Sequence, residues 1–120
     1  LIIGAVAAII SRLCIEWRTK SKLDDTLDVF PSHGVGGMVG MLLTGVFAHS
    51  AINEAVETNG LFFGETGLFT AHVIGLLGAT VFTLIMAFVL LKLTDLITPL
   101  RVNDEEEELG LDFSQHGEKL

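Results

Sequence analysis

Three long apolar blocks set the pattern of this chain: residues 1 to about 15, about 27 to 52, and 67 to 91. Polar interruptions are few. Arg12 stands near the end of the first block, His33 and His49 are the titratable groups of the second after Asp28, and His72 is the one titratable group of the third. The second and third blocks are long enough to cross a hydrocarbon core of about 30 Å. The first starts directly at Leu1 and reads as a span that has been cut. It lacks the basic leading region and small-residue cleavage site of a signal peptide. The expectation is an all-α, polytopic membrane helix bundle with spans at about 1–17, 28–50 and 67–98. Residues 1–100 form its transmembrane portion and residues 101–120 a tail.

Composition agrees. Hydrophobic residues make up 50% of the chain, mean hydropathy is +0.61, and tyrosine is absent. The net charge of −8 argues against a nucleic-acid partner, and much of it sits in the acidic run 104–108, outside every apolar block. The basic residues fix an orientation. Arg12 lies near the end of the first span with Arg18, Lys20 and Lys22 after it, and Lys92, Arg101 and Lys119 lie at or beyond the end of the third. The connection 53–66 has no Lys or Arg and carries Glu54, Glu57 and Glu65. The positive-inside rule makes the basic side, and with it the tail, cytoplasmic. Trp17 marks the interface on that side. Cys14 is the single cysteine, so no intrachain disulfide can form, and it reads as a small membrane-helix residue.

The second span holds the candidate chemistry. Asp24, Asp25 and Thr26 precede it, Asp28 is the expected N-cap, and Pro31 then falls in the first turn, where a missing N–H costs little. A helix that started earlier would be kinked at Pro31, and both cases place irregular backbone near His33. His33 follows inside an uncharged, glycine-studded run. An ionisable side chain at membrane depth is costly and marks a functional-site hypothesis. A lone histidine can equally serve as helix glue by satisfying a carbonyl, and the residues alone leave both readings open. Ser32, Gly36, Gly40, Thr44 and Ala48 recur at four-residue spacing and predict a small-residue seam for close helix packing. His33, Gly37, Met41 and Gly45 form the adjacent stripe, so the His33 ring is expected to point into protein. Gly75, Gly78 and Ala79 suggest a similar seam on the third span.

The other histidines read as structural. His49 lies at the outer end of the second span, as an interfacial polar residue. His72, one turn into the third, reads as a packed, hydrogen-bonded side chain. His33, His49 and His72 show no i,i+3 or i,i+4 pairing with one another or with carboxylates, so no metal site is expected. No nucleophile elbow or phosphate loop is present either, and neither enzyme activity nor a cofactor is expected. In the tail, Asn103 as N-cap with Glu106 three residues on predicts a capping box and a short helix stopped by Gly110.

The stretch 24–47 resembles the signature of the ammonium transporter family (the Amt/MEP/Rh group). The resemblance rests on Asp24, Asp25, Asp28, Val29, Phe30, His33, Gly34, Val35, Gly36, Gly37, Gly40, Thr44, Gly45, Phe47 and Ala48. Leu100, Arg101 and Val102, then Glu108, Gly110, Leu111, Asp112, His116, Gly117 and Glu118, are similar to the family's tail elements. The resemblance implies the last three transmembrane helices of an Amt-type fold of about eleven spans, assembled as a homotrimer with one pore per subunit. It implies that His33 is one of two hydrogen-bonded pore histidines, that its partner comes from spans outside this chain, and that Val29 lines the pore. Gly110, Asp112, Ser114 and His116 would belong to a regulatory tail, with Ser114 where some relatives carry a phosphorylated residue. A PII-type regulatory protein is a partner implied for bacterial members. The substrate implied is ammonium, deprotonated and conducted as ammonia. Alternatives are an Rh-type ammonia or gas channel and an ammonium sensor with a signalling tail. Pro31, where many members carry a small residue, and the end at Lys119 and Leu120 without an aromatic both depart from the pattern.

Overall fold

The computed structural model describes residues 1–118; the readings of Lys119 and Leu120 lie outside the described residues. All regular structure among these residues is helical. The chain divides into two compact units, Leu1–Thr80 and Val81–Leu120.

In the first unit, α1 (Ile2–Thr19) carries an outward apolar stripe of Ile2, Ile9, Leu13 and Trp17, all more than half exposed. Arg12 donates from Nε to Glu16 Oε1 at 3.1 Å one turn along, an exposed pair worth a few tenths of a kcal/mol at about 0.3–0.5. The helix stops at Lys20, whose N–H bonds Trp17 O at 3.1 Å while Ser21 N bonds Arg18 O at 2.8 Å. After a loop the chain re-enters helix at Val29. Residues Phe30–Val35 are wound as π-helix and run without a break into α2 (Gly36–Phe47). Both pieces pack on α1. Gly36 is a point of closest approach, since a Cβ there would lie 3.0 Å from Ser11 Oγ.

The helix ends earlier than the apolar block suggests. Ala48 turns to ψ 136°, and the connection folds back over the end of α2. Gly60 N bonds Ala48 O at 2.8 Å, and a Cβ on Gly60 would sit 2.3 Å from Val46 O. That approach admits only glycine. Asn59 ties the connection together: Ser50 N donates to its Oδ1 at 2.9 Å, and its Nδ2 donates to Glu65 Oε1 at 2.8 Å. A 3-10 turn at Leu61–Phe63, closed by Gly64 at φ 91°, sets Phe62 against Phe47 and Phe63 against His49.

Helix α3 (Gly67–Ile97) begins in this unit and continues into the second. By length and composition it is the one helix among the described residues able to cross a membrane. α2 holds 12 α-helical residues, about 18 Å of rise, preceded by the π-wound segment. In the second unit the α3 side chains Val81, Phe82, Leu84, Ile85, Phe88, Leu90 and Leu91 are all more than half exposed, as in a helix apolar all round. Past its end, Leu100 N donates to Asp95 Oδ1 at 3.1 Å. The short helices α4 (Asp104–Leu109) and α5 (Leu111–His116) follow.

Candidate functional site

The site is built from the entry to the His33 helix. The first turn of any helix leaves its N–H groups without intrahelical partners, and here each is accounted for. Val29 N donates to Asp25 Oδ1 and Phe30 N to Asp25 Oδ2, both at 2.9 Å. Pro31 has no N–H to satisfy. Ser32 N bonds Asp28 O at 3.0 Å, and Ser32 Oγ donates to the same carbonyl at 2.5 Å. The cap is therefore Asp25, not Asp28 as the sequence pattern suggests. Asp28 is withdrawn from capping for two reasons. Its backbone is left-handed at φ 52°, uncommon for a residue with a side chain, and its carboxylate is taken by Arg18 of α1 in a close, part-buried ion pair. The N–H donated by Phe30, then that of Val29, holds the Asp25 carboxyl below its ordinary value. Arg18 acts in the same direction and burial opposes.

The π-wound segment then carries His33. A π turn holds one residue more than an α turn and is frequent at functional sites. It alters the spacing of the small-residue stripe, because four-residue recurrence aligns only on an α-helix. Gly36 faces Ser11 of α1, whereas an added Cβ on Gly37 or Gly40 would meet nothing within 4 Å. Ser32 is exposed, and Thr44, also exposed, bonds back to Gly40 O at 2.8 Å. Gly45 is buried, and its missing Cβ would lie 3.1 Å from both Phe69 Cα and His72 Nδ1.

His33 is exposed and borders a cavity of about 520 Å³ that it shares with Val29, Phe30, Cys14, Trp17 and Arg18, among others. His72 is used differently. Its Nδ1–H donates to Met41 O at 2.7 Å. His49 accepts the Ala51 N–H on Nδ1 at 3.1 Å and meets the Phe63 ring edge-on at 4.2 Å between centroids. Sequence reasoning missed the double cap by Asp25 and the Arg18–Asp28 pair. The signal for the first was present, as an acid six residues ahead of the first-turn proline. The second joins residues ten apart across a loop, and no local pattern announces it. Among the described residues, no three His, Cys, Asp or Glu side chains gather to hold a metal ion.

In the tail, Asn103 Oδ1 accepts Glu106 N at 2.8 Å while Glu106 Oε2 accepts Asn103 N at 3.2 Å, forming a capping box. Gly110, at φ 89°, separates α4 from α5, so it is a joint between two helices as well as a stop. Ser114 Oγ donates to Glu106 O at 3.3 Å across that joint. Asp112 lies in the first turn of α5 and His116 in its last, and Asp112 O accepts Glu118 N at 3.0 Å. Arg101 pairs with Glu107 at 2.7 Å.

The sequence profile of the Ammonium Transporter Family matches residues 1–120. The chain belongs to the ammonium transporter family. Among curated members, it is 42% identical over 102 residues to the ammonium transporter of Bacillus subtilis, covering 85% of this chain and 25% of that protein. It is 40% identical over 119 residues to a putative ammonium transporter of Methanothermobacter thermautotrophicus, covering 98% of this chain and 29% of the relative. The ammonium transporter Amt1 of Archaeoglobus fulgidus is 36% identical over 118 residues, at 98% and 29% coverage. The chain thus spans a quarter to three-tenths of the length of these three relatives.

Proposed function

We propose that this chain is part of a membrane protein that transports ammonium, with His33 and Val29 on its conduction path and the tail on the cytoplasmic side. Family membership carries the reading at the level of transport. Support for His33 comes from its place in the π-wound turn, facing the shared cavity with Val29. The physical logic is desolvation. A bare ammonium ion in an apolar pore faces a large penalty, whereas neutral ammonia faces far less. A path that separates the proton from ammonia needs a group that both donates and accepts, and neutral imidazole does so with its two nitrogens. A second histidine hydrogen-bonded to the first would fix the tautomers of both. In this proposal that partner, and the remaining spans, come from the rest of a trimeric transporter, and residues 104–118 are a regulatory segment open to a PII-type protein.

Two measurements test this reading. Membranes blotted with an antibody against residues 104–118 should show a band several-fold heavier than the 12.9 kDa of this chain. Vesicles bearing the assembled protein should take up isotopically labelled ammonium faster than protein-free vesicles. Equal rates, with folded protein present, would overturn the proposal.

A further inference from the structure

The helix that carries His33 is pinned at both ends with one residue too many between them. At its start, Asp25 holds two successive N–H groups, Val29 on one oxygen and Phe30 on the other. The residue that follows, Pro31, is fully buried and can donate nothing. Asp28, just before the helix, is tied to α1 through Arg18. Beyond the π-wound segment, Gly36 sits against Ser11 of α1, and further along Met41 and Gly45 are held by His72. Six residues, Phe30–Val35, occupy the interval between these anchors. Each α-helical residue advances the chain by about 100°, from 3.6 residues per turn. Relaxing the π turn to α therefore requires the start of the helix to slip by one residue, which would turn His33 by about that angle relative to α2.

We propose that Asp25 is a positioning residue for His33: its two-oxygen grip on the Val29 and Phe30 N–H groups prevents that slip and keeps the imidazole facing the cavity. Its consequence for transport rests on the pore reading of His33 above. The positioning itself does not. Ordinary N-caps satisfy one donor, two or three positions into the helix. A single carboxylate taking the first two leaves no free donor ahead of Pro31, so the start has no second register that keeps its hydrogen bonds. Because the two N–H groups sit on different oxygens, asparagine, with one acceptor oxygen, keeps one of the two bonds in this geometry. Glutamate retains both oxygens on a longer stem.

The test uses the complete protein in membranes, carrying Asp25→Ala, Asp25→Asn or Asp25→Glu, each with and without His33→Ala. Three readouts are taken: amide exchange at Val29 and Phe30, the imidazole 15N resonances of His33 and His72, and uptake of labelled ammonium. Asp25→Ala should lose protection at both amides and move the His33 resonance. Uptake should fall roughly two- to thirtyfold, the range set by a lost N-cap. Asp25→Asn should fall between Ala and wild type, and Asp25→Glu should recover most of the difference. An unmoved His72 resonance identifies the folded α2–α3 pair, so a variant that merely misfolds is recognised, and Asp25→Asn then decides. In the His33→Ala background, removal of Asp25 should reduce uptake no further. A His33 resonance unchanged in folded Asp25→Ala and Asp25→Asn overturns the proposal. If the resonance moves but His33→Ala itself leaves uptake intact, the positioning stands and the pore reading of His33 fails.

Discussion

His72 donates from Nδ1 to the Met41 carbonyl at 2.7 Å, across a contact where a Cβ on Gly45 would crowd Phe69 and His72 at 3.1 Å. One histidine thus joins α3 to α2, while another, His33, faces a cavity. The two imidazoles predict different phenotypes. Interhelical hydrogen bonds in membranes average about 0.6 kcal/mol and reach about 1.7. His72→Ala, which also removes ring packing, should lower stability by about 1–2 kcal/mol. His72→Gln, which can still donate, should cost less. Thermal unfolding of the purified protein checks this. A folded His72→Ala protein with unchanged stability but no transport would assign His72 to conduction instead.

The Asp25 cap gives an acid-side prediction. Its folded-state pKa is depressed below 3.8, so its contribution to the folded state is complete above that value and is lost as pH falls through the lower, folded value. Protection of the Val29 and Phe30 amides should therefore hold at neutral pH and disappear only in strong acid. Asp25→Asn should remove that acid-side dependence. Protection lost near pH 6 would implicate a different group.

The contrast between these two sites shows what local pattern conveys. The apolar blocks announced helices, and the pairing of Asn103 with Glu106 announced a capping box, because a cap is a relation between residues three apart. The hydrogen-bonded reading of His72 was also available, from a histidine one turn into an apolar helix. Pro31 pointed to irregular backbone near His33, but not to the π winding of Phe30–Val35. That winding depends on where the preceding loop and α1 anchor the chain, and both the left-handed Asp28 and its pairing with Arg18 are tertiary facts. The four-residue spacing of Ser32, Gly36 and Gly40 assumed an uninterrupted α-helix, so it overlooked how the extra residue redistributes those positions. Gly60 is likewise silent in sequence, since only the carbonyl of Val46 shows why no side chain fits there.

The tail makes its own prediction. Asn103→Ala removes the side-chain acceptor of the Glu106 N–H, while the backbone N–H at 103 can still donate to Glu106, and should weaken α4 by about 1 kcal/mol, seen as reduced helicity of the segment. Deleting residues 104–120 should leave assembled protein in membranes at wild-type level and change the regulation of transport. Loss of assembled protein would show that the tail supports folding.

The most direct measurement is uptake of labelled ammonium by the complete protein with His33 replaced by alanine, alongside competition by potassium as a test of discrimination. With His33 on the conduction path, the variant should show an altered rate, altered discrimination against potassium, or both, with the protein folded and assembled at wild-type level. Unchanged flux with unchanged discrimination would contradict it and leave His33 as a packing residue.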